Sequence, residues 1–120
     1  MLYCIMSGQT YDRQEINEAV LKVGKGSLEV IQRFLSGRET REVMIETLTA
    51  LEVNDILNKY WNVLTSDAKL VPHWRVLQTL QGMVDEMTYQ IAEYGESSLF
   101  DDVKEVAACI KLITNQNDDI

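Results

Sequence analysis

The side chains that carry most enzyme chemistry are scarce in this chain. It has one histidine, His73, and two cysteines, Cys4 and Cys109. A Ser-His-Asp or Cys-His catalytic unit would have to pass through His73. That residue follows Pro72 at a predicted helix start and stands beside Trp74, so a capping or packing role is expected. A zinc site takes about four N or S ligands, and three such residues at scattered positions do not supply them. The cysteines form no CxxC pair and no disulfide framework; they read as half-buried thiols in a reducing compartment. No GxxxxGK or GxGxxG phosphate loop occurs, and Gly24-Lys25-Gly26 reads as a turn between two helices. Paired acids such as Asp85-Glu86 and Asp101-Asp102 read as solvated helix faces. No E-x-x-H pair exists to build a carboxylate metal site. The expectation is a protein that is not an enzyme and needs no metal or cofactor.

A second set of side chains suits recognition instead. Asn54, Asn58, Lys59 and Asn62 recur on one stretch of chain. Asn pairs bidentately with adenine, and Lys reaches guanine or phosphate. Arg38, Arg41 and Lys25, with Lys22 and Arg33, are placed to contact phosphates. For these groups to act together, helices must present them on one face.

The elements that would do so can be read from period and punctuation. Of 120 residues, 46% are hydrophobic and 25% charged, enough for a globular core; one Pro and six Gly argue against an all-β fold. Asp12 and Glu15 signal a helix start. Ile16, Ala19, Val20 and Val23 form its apolar stripe, Gly24 is expected to end it, and Ser27 to cap the next helix. Gly37 sits where a helix-terminating glycine belongs, and Thr40 caps a helix from Arg41. Between 41 and 64 the apolar phase changes: Met44, Leu48 and Leu51 share one face, while Val53, Ile56, Leu57, Tyr60 and Leu64 share another. The two faces lie roughly 150° apart at 100° per residue, so one straight helix cannot bury both. Thr49 and Glu52 form a capping box at the change. The pattern predicts a short helix near 41–47, a turn at Thr47-Leu48 and a second helix from Ala50 to about Leu64, a helix-turn-helix.

Pro72 opens the next helix. There Leu77, Leu80, Val84, Met87, Ile91 and Tyr94 repeat every three or four residues; after Gly95, Leu99, Val103, Val106, Ile110 and Ile113 do the same. These two stretches predict an antiparallel hairpin. A bare hairpin buries too little alone. It must pack on the N-terminal half or on a second copy of itself. The second copy is favoured, so the seam, Leu77, Leu80, Val84, Met87, Ile91, Leu99, Val103, Val106 and Ile110, is expected to pair in a homodimer. Trp61 and Trp74 are expected to pack at the junction. The predicted class is all-α, with a helix-turn-helix unit at 1–66 and a helical hairpin at 67–120, either as two units or as one compact domain.

The stretch SLEVIQRFLSGRETREVMIETLTALEVNDILNKYW, Ser27 to Trp61, resembles the helix-turn-helix core of the KorA/TrfB-type plasmid repressors. It is also similar to the adhesin (fimbrial) biosynthesis regulators. Phe34-Leu35-Ser36-Gly37 matches their helix-ending turn, Thr40-Arg41-Glu42-Val43 the helix that follows, and Asn58-Lys59-Tyr60-Trp61 the end of the recognition helix. The resemblance covers about half the chain and implies a sequence-specific double-stranded DNA-binding repressor.

Charge supports a different reading as well. The net charge is −8, which excludes a generally basic nucleic-acid coat. Residues 1–66 hold seven bases and nine acids, and residues 67–120 hold four bases and ten acids. An acidic hairpin suits a dimeric regulator whose hairpin points away from DNA. It suits equally a small acidic helical interaction module, such as an inhibitor, immunity-type factor, adaptor or nucleic-acid mimic, docking on a basic protein partner. MLYCIM is too short for a signal peptide and no apolar run approaches the ~20 residues of a membrane span. No membrane partner and a cytoplasmic location are therefore expected.

Overall fold

A computed structural model describes residues 13–89 and 95–118. The protein is all-α: among the described residues there are six α-helices, one short 3-10 turn and no strand. In chain order these are α1 (Arg13–Leu35), α2 (Arg41–Ala50), α3 (Val53–Lys59), α4 (Trp61–Ser66), the 3-10 turn Ala68–Leu70, α5 (Val71–Thr88) and α6 (Glu96–Asp118).

The first helix is longer than the glycines suggested. It runs unbroken through Gly24 and Gly26 for 23 residues, so no turn separates two helices there. The reason is tertiary. A Cβ on Gly24 would stand 2.7 Å from Ile110 Cδ1 and 3.5 Å from Val76 Cγ1; the glycine lets α5 and α6 approach the helix backbone. Ser27 is not a cap. It is fully buried, and its hydroxyl donates to the Val23 carbonyl one turn back at 2.6 Å. Gly37 does end α1, in the left-handed region at φ 79°. The Gly37 amide donates to the Phe34 carbonyl at 3.0 Å and the Arg38 amide to the Arg33 carbonyl at 2.8 Å, the paired bonds of a Schellman stop. Thr40 caps α2 as expected, its hydroxyl accepting from the Val43 amide at 3.2 Å. The Asp12 start signal, Cys4 and the N-terminal apolar segment lie outside the described residues, as do Ile91 and Tyr94.

The corner after α2 is displaced toward the C-terminus. Thr47 and Thr49 donate their hydroxyls to the Val43 and Ile45 carbonyls, each at 2.8 Å. They extend the helix instead of turning or capping it. Leu48 stays on α2 and is buried with Met44, four residues earlier on the same face. The chain turns at Leu51-Glu52, where Glu52 takes a left-handed conformation at φ 56° and offers α3 no side-chain cap. The expected helix from Ala50 to Leu64 therefore starts at Val53. It is divided at Tyr60, whose φ of −109° and ψ of 15° separate α3 from α4. Hydrogen bonds from the Tyr60 amide to the Ile56 carbonyl and from the Leu64 amide to the Tyr60 carbonyl still bridge the bend.

The hairpin forms as its period predicts. α5 packs against α6. Val76, Leu77, Leu80, Met83 and Met87 on α5 and Leu99, Val106, Ile110 and Ile113 on α6 are buried in one cluster, with Val84 and Val103 packed against it. The seam is covered by the N-terminal half, the other of the two expected covers, and not by the favoured second copy. α1 lies against both α5 and α6, while α2, α3 and α4 close on α5. Leu77, Leu80, Met87, Leu99, Val106 and Ile110 are buried in the core of a single chain, so they do not present a face to a second copy. One hydrophobic cluster includes Ile16, Val20 and Ile31 together with Leu77, Leu80 and Ile113; the halves 1–66 and 67–120 share it. Pro72 occupies the first turn of α5, after Asp67 has capped the 3-10 turn by accepting from the Lys69 amide at 2.9 Å.

Candidate interaction surface

Among the described residues three polar side chains are buried, Ser27, Asn17 and His73, and the last two form a pair. His73 is fully buried and its Nε2–H donates to the Asn17 side-chain oxygen on α1, which leaves the proton off Nδ1. Burial pushes its pKa down to about 4, the Arg13 guanidinium adds to this, and Asp67 opposes it. His73 is therefore neutral at pH 7 and joins α5 to α1. Cys109 is a buried free thiol whose pKa is raised by burial, then by the Glu105 charge, against Arg75. Among the described residues no three His, Cys, Asp or Glu side chains converge on a metal position. No described helix is long and apolar enough to cross a membrane.

The recognition residues come to the surface with the sidedness expected. On α3, Val53 and Leu57 are buried and Ile56 half-buried, whereas Asn54, Asp55, Asn58 and Lys59 are exposed. Asn62, on α4, is exposed too, as are Lys25, Arg38 and Arg41. Three of the cations are already engaged. Lys59 Nζ lies 4.0 Å from the Glu15 carboxylate and 5.3 Å from the centre of the Tyr60 ring. Arg41 reaches the Met87 carbonyl at 3.4 Å, near the C-terminal end of α5, where the helix dipole favours a cation. Arg33, at the end of α1, is held by Glu29 at 2.7 Å and Glu39 at 3.7 Å. The helix meant to enter a groove has seven residues, about 10 Å of rise.

Beside α3 lies a feature that sequence reasoning missed. An open groove of about 500 Å³ runs along α1 and is walled by the α2–α3 corner. Ala19, Val23, Leu51 and Ile56 line it, and Glu15, Glu18 and Glu52 stand among its lining with Lys22. The Glu15 carboxylate accepts from the Tyr60 hydroxyl, and Glu18 from Gln14 Nε2 at 3.4 Å. The α1 contribution falls at 15, 18, 19, 22 and 23, a helical stripe next to the buried one. That spacing was visible; its partner on the corner, more than two dozen residues away, was not. Of the two tryptophans expected at the junction, Trp74 packs against the core, while Trp61 is 45% exposed on α4.

No family model, curated protein or solved structure matches this chain.

Proposed function

We propose that this protein is a small acidic helical interaction module that binds a basic protein partner. The observation that carries the reading is the groove beside α3, where half-buried apolar side chains are bordered by Glu15, Glu18 and Glu52. Carboxylates arranged around apolar surface favour a cationic protein over a phosphate backbone, because charge complementarity steers the right partner and repels the wrong one. The same reading uses the charge of −8, which a DNA-binding surface has to overcome locally.

A second reading rests on a different observation: Asn54, Asn58 and Asn62 follow one another at i, i+4, i+8 and all are exposed, with Lys59 adjacent. In that reading the protein is a homodimeric, sequence-specific DNA-binding repressor contacting half-sites about 34 Å apart. Arg38, Arg41 and Lys25 then serve as phosphate contacts.

One experiment separates the two. The full chain is titrated with a lysine-rich peptide, and selected against a random duplex DNA pool, at low and physiological salt. Saturable peptide binding without duplex enrichment is the expected result. Recovery of a palindromic duplex motif, with affinity falling as salt rises, would reverse the order of the readings. In that case Asn58→Ala is expected to cost about 1–3 kcal/mol of discrimination at one base pair, read from competition binding.

A further inference from the structure

We infer that the groove between α1 and the α2–α3 corner receives one face of an amphipathic helix of the partner, apolar side down and Lys or Arg toward the carboxylates. This rests on the proposed interaction-module reading and specifies its site and ligand. Three observations select that occupant. The lining is apolar where Ala19, Leu51 and Ile56 meet, each half-buried and thus offering surface still to be covered. Glu15, Glu18 and Glu52 outnumber Lys22 in the lining, and even with Lys59 paired to Glu15 they leave a net negative charge, from two separate elements, at the same opening. The walls are helices, and among the described residues there is no strand edge to pair with an extended peptide. A segment docking there has to satisfy its own backbone, which a helix does.

Glu52 adds a further argument. It is the one described non-glycine residue at positive φ, a conformation in which glycine is less strained. Its side chain makes no capping bond for α3. A carboxylate is thus held at the groove in a position where local stability alone would favour glycine, the pattern of strain kept for a surface role. Glu52→Gly separates affinity from folding, because the substitution suits the backbone while it removes the side chain and its charge from the groove.

The test uses the full ¹⁵N-labelled chain and two peptides of identical Leu and Lys composition. One has all leucines on one helical face; the other is scrambled so that no apolar face forms. At about 0.15 M salt, where distant charges are screened beyond ~8 Å, the amphipathic peptide is expected to bind at least several-fold more tightly and to shift the amides of Ala19, Lys22, Leu51, Glu52 and Ile56. Glu52→Gly is expected to weaken it up to about fivefold, as for one exposed ion pair, while the melting temperature stays level or rises. Equal affinity for both peptides, or shifts centred on Asp101, Asp102 and Glu105, would overturn the groove and leave the module reading standing. An unchanged affinity in Glu52→Gly would also overturn the groove as drawn. Failure of both peptides to bind would overturn the groove and the module reading together.

Discussion

The α5–α6 hairpin and the α2–α3–α4 corner are built from similar residues, yet they use them in opposite ways. The hairpin has two long helices of 18 and 23 residues whose apolar seam is closed by α1. The corner has helices of ten, seven and six residues, a left-handed glutamate and a bend at Tyr60. In the hairpin nearly every apolar side chain at a seam position is spent on the core. At the corner Leu51 and Ile56 remain half-buried, and Val43 and Trp61 are exposed. Long helices with a continuous stripe gain stability from tertiary packing, whereas short ones are marginal by themselves. The region with fewer buried contacts is where a partner can be accommodated.

The largest way to break the comparison is to open the hairpin. Leu77→Ala, at a fully buried position, is expected to cost about 2–5 kcal/mol in denaturant unfolding. A loss below 1 kcal/mol would mean the seam is not the core. The next effect is the buried His73. Its pKa is lowered from 6.5 to about 4, so the unfolded chain binds the proton first as pH falls. Its contribution is present in full above pH 6.5 and is lost as pH drops toward 4, by up to about 3 kcal/mol. Denaturant curves of the wild type and His73→Leu across this window should show the steeper decline only in the wild type.

Gly24 and Gly26 then sharpen the contrast within one helix. Gly24→Leu drives a side chain into Ile110 and Val76 and is expected to cost about 1–3 kcal/mol by overpacking. Gly26 faces the corner, where a new Cβ would meet Leu51 at an ordinary 3.6 Å. Gly26→Ala should therefore stabilise by up to about 1 kcal/mol through helix propensity. Equal melting shifts for the two substitutions would contradict the packing difference. The smallest effect is at the corner itself: Glu52→Gly relieves the left-handed conformation and is expected to raise stability by about 1 kcal/mol, measured by the denaturation midpoint.

Much of this architecture was legible because it is written in local spacing. Leu99, Val103, Val106, Ile110 and Ile113 identify the inner face of α6 without any neighbour being known. Gly37, Thr40 and Pro72 mark ends that depend on backbone conformation within a few residues. The misreadings share one cause. Gly24 looked like a stop because its intrinsic propensity is poor, and only the approach of Ile110 and Val76 explains why the helix continues. Thr49 and Glu52 looked like a capping box, but Thr49 bonds back to Ile45 and the turn falls at Glu52 itself. Of the candidate surface, the exposed side of α3 with Asn54, Asn58 and Lys59 could be assigned from period. The engagement of Lys59 by Glu15, and the groove beside it, required α1 to be placed against a corner far along the chain.

The sequence by itself determined that this protein is helical, where α2 and α5 begin, and which faces of α3, α5 and α6 are apolar. Period and capping are properties of a few consecutive residues and survive without a fold. Tertiary structure alone decided that α1 covers the hairpin seam in place of a second copy. It also decided that two glycines stay inside one helix, and that Glu15, Glu18 and Glu52 meet at one opening. The hydrophobic effect has no direction: it requires that an apolar face be covered, and leaves the choice of cover to the packing of the whole chain.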